Sequence, residues 1–125
     1  MVIIRKTQLS AIRESNFRRS LRDFVRKVWP SECQRLGNKD VESRIQACLD
    51  KAKIYEITDQ GDIRRFINLM FILDDKDFDT SQDTQWASKI LSWKDATSEL
   101  KLSALERRAE IDQIEKMKAN VSREA

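Results

Sequence analysis

Residues Ile63 to Phe71 constrain this chain more than any other stretch. Upstream, Thr58 or Asp59 can open a helix by accepting from the orphan amides of its first turn; downstream, an acidic run begins at Asp74. Between them Ile63, Phe66, Ile67, Met70 and Phe71 cover nearly two faces of a helix. A single apolar stripe would suit a surface helix, whereas an arc this wide needs neighbours on both sides. The helix therefore belongs in the middle of a bundle, with Phe66, Ile67, Met70 and Phe71 buried.

The rest of the chain supplies the neighbours. Leu9, Ile12, Phe17, Leu21, Phe24, Val25 and Val28 recur at near-helical spacing, so residues 8–28 read as an amphipathic helix that Pro30 ends. A helical turn through Ser31 to Leu36 follows, with Gly37 placed as a left-handed cap. Asp40 is then expected to cap a helix striped by Val41, Ile45, Cys48, Leu49 and Ala52. Trp86, Ala87, Ile90 and Leu91, with Trp93 as a further candidate, define a short fourth helix that would lie across the bundle. Leu100, Leu102, Leu105, Ile111, Ile114, Met117 and Val121 form a narrow seam in a long last helix. That helix has Glu106 and Glu110 near Arg107 and Arg108 for i,i+4 pairing and a last turn expected to fray from Asn120. Two glycines and one proline in 125 residues, with 36% charged and 40% hydrophobic residues, fit helices whose outer faces are solvated. The predicted class is all-α, a single compact bundle of about five helices with a long C-terminal helix. The length suits one domain, with a core over 1–94 and the long helix over 95–125.

Several motifs punctuate this frame: Ile4-Arg5-Lys6-Thr7-Gln8 at the start, Trp29-Pro30-Ser31-Glu32-Cys33 at the first turn, and the run from Tyr55 to Leu73. Asp77-Phe78-Asp79, Trp86-Ala87 and Ile90-Leu91 follow. Together they resemble a family of small helical proteins encoded beside effector and spike genes of bacterial type VI secretion systems, over roughly residues 2–92. The family usually has a glycine just before its acidic turn and a proline before its tryptophan; this chain has Asp74-Asp75-Lys76 and Asp83-Thr84-Gln85. The resemblance implies a genomic neighbourhood and a partner class, a secreted toxin or its spike. It implies no catalytic residue.

The residues themselves argue against catalysis. With no histidine, Ser-His and Cys-His activation and histidine zinc sites are excluded, leaving acid-base work to carboxylates and lysines. Cys33 and Cys48 fit no CxxC spacing and read as small packed residues. Asp75, Asp77, Asp79, Ser81 and Asp83 alternate in the manner of calcium ligands, but an EF-hand loop starting at Asp75 needs glycine and glutamate where Thr80 and Trp86 stand. The plainer reading has Asp79 or Asp83 capping the Trp86 helix and the other carboxylates solvated or facing a basic partner. No cofactor and no metal is expected.

Charge is unevenly placed. The first 30 residues carry eight basic side chains against Glu14 and Asp23, a net +6, so the remaining 95 carry −3. Arg18, Arg19, Arg22 and Arg26 could grip phosphate, yet no aromatics are interleaved for base stacking and no nucleic-acid motif is present. An acidic protein surface would satisfy the same arginines. Trp29 and Trp86 read as core or core-edge residues, while Trp93, at a helix end beside charges, reads as an interface anchor. The expected partner-binding residues are thus Arg18, Arg19, Arg22, Arg26, Asp75, Asp77 and Trp93.

The function expected on this basis is that of a non-enzymatic accessory, a chaperone or adaptor, for a secreted toxin. The alternatives are an immunity protein for that toxin or, in another class, a nucleic-acid-binding regulator using the first helix. No apolar run approaches the roughly 18 residues of a membrane span, and charge arrives too soon after Met1 for a signal peptide. A cytoplasmic protein, monomeric or weakly dimeric, is expected.

Overall fold

A computed structural model describes the backbone of residues 6–124 and the side chains of residues 13–119. Among the described residues the protein is all-α, with five helices and no strand: α1 (Lys6–Val28), α2 (Pro30–Ile54), α3 (Gln60–Ile72), α4 (Gln85–Leu91) and the long α5 (Ser98–Glu124). A 3₁₀ turn, Gln82–Thr84, leads into α4. The opening motif Ile4–Gln8, the expected apolar positions Leu9, Ile12 and Val121, and the fraying expected from Asn120 lie outside the residues whose side chains are described.

The chain divides into two units, one ending at Gln46 and the other starting at Ala47. In the first, α1 buries Phe17, Leu21 and Val25, one residue per turn, and α2 buries Val41 and Ile45. Phe24 is half-buried and Val28 exposed, so the apolar stripe of α1 is narrower than its sequence suggests. Pro30 both prevents α1 from continuing and occupies the first turn of α2, where its missing N–H costs nothing. Gly37 is the one non-helical residue inside α2, at φ 81° and ψ 164°. A side chain there would meet open space, so glycine is needed for the backbone conformation and not for room. Helix resumes directly after it, and the expected cap Asp40 lies inside α2.

The second unit is organised around α3, whose Phe66, Ile67, Leu69 and Met70 are fully buried and whose Phe71 is nearly so. Asp59 caps it, its carboxylate accepting from the Asp62 N–H at 3.1 Å. Burial of Leu102, Leu105 and Ala109 on α5 and of Ala87, Ile90 and Leu91 on α4 completes the core, with α5 packed on α3 and on α4. The seam expected along α5 is split, because Leu100, Ile111, Ile114 and Met117 are exposed. Glu106 pairs across helices, accepting from Arg65 Nη2 at 2.5 Å and Nε at 3.2 Å; within α5, Asp112 and Lys116 form an i,i+4 pair at 3.3 Å.

Two helix ends use non-glycine residues in the left-handed region. Glu56, at φ 57°, closes α2 as the Ile57 N–H reaches back to the Ala52 carbonyl at 2.8 Å. Asp74, at φ 51°, does the same after α3 as the Asp75 N–H reaches the Met70 carbonyl at 3.0 Å. Just before the acidic turn an aspartate thus adopts a conformation that glycine would take without strain.

Candidate functional site

The basic side of α1 faces an intramolecular partner. Arg18 donates to Gln46 Oε1, Arg22 to Glu42 Oε1, and Arg26 to Asn38 Oδ1 at 3.1 Å. Each step of four residues along α1 is matched by four in reverse along α2, so the three arginines form one edge of an antiparallel helix pair. Arg18 also lies 3.8 Å from Glu42. The Arg22 bond is charge-assisted: it holds the Glu42 carboxyl below its usual range, outweighing burial, and raises the Arg22 guanidinium above its own. Arg19 is exposed and takes no part in the ladder. Asn38, Glu42 and Gln46 were not singled out from sequence, although their spacing mirrors that of Arg18, Arg22 and Arg26.

The acidic segment already holds a cation, which belongs to the chain. Lys51 Nζ donates to Asp79 Oδ1, to Asp77 Oδ1 at 3.0 Å and to the Lys76 carbonyl at 2.7 Å. Asp79 is buried, and its second oxygen accepts from the Tyr55 hydroxyl at 2.6 Å. Burial works against the Lys51 charge, but the bonds to Asp79 and Asp77 more than compensate and hold its ammonium above its usual range. Tyr55 is pushed up in turn, first by burial and then by its bond to Asp79 and the charge there. Asp75 accepts from the Asp77 N–H at 2.9 Å and so shapes the turn.

Asp79 therefore does not cap α4, and neither does Asp83. Thr84 stands at that N-cap with no side-chain cap bond, its hydroxyl donating to the Phe78 carbonyl at 2.5 Å. The aromatic residues of the same motifs line up behind the cluster: Tyr55 and Phe66 have ring centroids 6.3 Å apart, and Phe66 and Phe78 are 5.2 Å apart. Tyr55, Phe66, Phe78 and Asp79 thus meet in one place.

Cys48 is buried, and burial pushes its thiol up to about 12, which leaves it an unreactive packing residue. Cys33 is half-buried and also raised, chiefly by burial. Among the described residues, no group of three or more carboxylates or thiols is placed to hold a metal ion. Trp93 is 44% exposed beyond the end of α4, and Leu100 is 55% exposed in the first turns of α5. No described helix is long and apolar enough to cross a membrane. No protein-family model, curated protein or solved structure matches the chain.

Proposed function

We propose that the chain is a non-enzymatic, protein-binding accessory, a chaperone or adaptor, that acts in the cytoplasm on a secreted toxin of a bacterial type VI secretion system. The observation that carries the binding role is the exposure of Trp93 and Leu100 on either side of the link between α4 and α5. An indole standing 44% in water suits a contact that is completed by another protein. The toxin as partner comes from the resemblance over residues 2–92.

Engagement of Arg18, Arg22 and Arg26 with α2 leaves Arg19 as the remaining candidate of the basic cluster, which favours a protein contact over a phosphate-binding face. The test is co-expression with the product of each neighbouring gene, followed by affinity capture. Trp93→Ala should weaken capture at least tenfold with helicity unchanged. Capture that is indifferent to Trp93→Ala and Arg19→Glu alike contradicts this surface. An accessory is needed for toxin level or secretion in the producing cell; if the protein alone restores growth to cells expressing the toxin while secretion ignores its deletion, it is an immunity protein instead.

A further inference from the structure

The exposed face of α5 has a pattern that the binding role above does not use. Ile111, Ile114 and Met117 recur every third residue and are 39%, 44% and 67% exposed. At about 100° of helical rotation per residue they share an arc of about 120°, centred about 150° around the helix from the buried Leu102, Leu105 and Ala109. One face of α5 is thus used by the core, and a second apolar face looks outward. Glu110 and Lys118 lie on that outward arc, one residue before and one after the apolar group. Both are exposed, and among the described residues neither has an ion-pair partner.

We propose that this face is occupied by α5 of a second copy of the chain, running antiparallel, with the two-fold axis at Ile114. That axis sets Ile114 against itself, Ile111 against Met117 of the other copy, and Glu110 against Lys118 of the other copy, twice over. Every element of the face then finds its complement in the same face, as an isologous contact requires. A parallel arrangement would put Glu110 on Glu110 and Lys118 on Lys118, so the charges select the antiparallel one. Residues 110 to 118 span only about 12 Å of helix, well short of a standard interface, so the dimer is weak.

Sedimentation equilibrium of the isolated protein should show its mass rising from monomer towards dimer over roughly 10 to 500 micromolar. Ile114→Asp should remain monomeric across that range with unchanged circular dichroism, since the position is exposed. Glu110→Lys should weaken the dimer about three- to tenfold, and adding Lys118→Glu to it should restore the original constant. A wild-type protein that stays monomeric at the highest concentration overturns the proposal. So does a dimer whose constant moves less than about twofold in Ile114→Asp, or a charge swap that fails to rescue. Loss of toxin capture in Ile114→Asp, with the wild type monomeric, would assign the face to the toxin and leave the accessory role standing.

Discussion

The two charged regions of this protein solve the same problem at different depths. The arginine ladder of α1 and the acidic segment after α3 both look, in sequence, like surfaces waiting for an oppositely charged partner, and both are engaged within the chain. The ladder runs along a rim, where Arg22 and Glu42 remain 31% and 36% exposed. In the acidic cluster the Lys51 side chain is 13% exposed and that of Asp79 3%. Water screens the first and reaches the second on its Asp77 side, 57% exposed, but not at the buried Asp79. The ladder therefore sets the register of two helices at little energetic consequence, while the cluster fixes a loop by interactions that fail badly when one member is removed.

Asp79→Ala should show the largest effect, a loss of about 2–4 kcal/mol, because it leaves the Tyr55 hydroxyl without its acceptor and the part-buried Lys51 ammonium with only Asp77 and the Lys76 carbonyl. Urea unfolding measures it; a loss under about 1 kcal/mol would make the cluster as superficial as the ladder. Alkaline conditions should act in the same place. The folded-state values of Lys51 and Tyr55 both lie above their ordinary ones, so the stability they contribute is complete below about pH 10 and disappears as pH rises through the folded values. Stability measured between pH 8 and 11 should fall in the wild type and fall less in Asp79→Asn.

At the ladder, Arg22→Ala should cost less than about 1 kcal/mol by the same unfolding measurement. Glu42 acts in the opposite pH direction: its depressed folded value makes its contribution complete above the ordinary carboxylate range and lost as pH falls through the folded one. The smallest change is expected at Glu56→Gly. Relief of its left-handed backbone, partly offset by the greater freedom of glycine in the unfolded chain, should raise stability by no more than about 0.5 kcal/mol and leave both charged regions untouched.

What was legible in the sequence was local. The wide apolar arc of α3, an acceptor at Thr58 or Asp59 to open it, the positive φ at Gly37 and the long last helix follow from spacing within one element, and spacing of that kind survives into the fold, although Gly37 interrupts α2 where a cap was expected. Lys51 meets Asp79, Arg22 meets Glu42 and Arg65 meets Glu106 across 28, 20 and 41 residues, and no helical period specifies such encounters. One of them did leave a trace: polar residues at 38, 42 and 46 repeat the four-residue step of Arg18, Arg22 and Arg26, and antiparallel pairing brings the two rows together. For Lys51 there was no comparable signal, because a lone lysine facing a loop has no partner at fixed spacing. The same locality explains why Leu100, Ile111, Ile114 and Met117 read as one seam with Leu102 and Leu105. Periodicity marks apolar faces but does not say which face the rest of the chain covers.

The acidic segment is closed by its own lysine and tyrosine, and the chain has a single tyrosine to report it. Ultraviolet absorbance of tyrosinate, followed against pH in the folded protein, therefore reads Tyr55 alone. Its ionisation is expected well above the ordinary value of about 10, and lower, though still above that value because the ring stays buried, once Asp79→Asn removes the charge beside it. A wild-type Tyr55 that ionises near 10, unaffected by the Asp79 substitution, would mean that the cluster is open in solution and the acidic segment free to meet another partner.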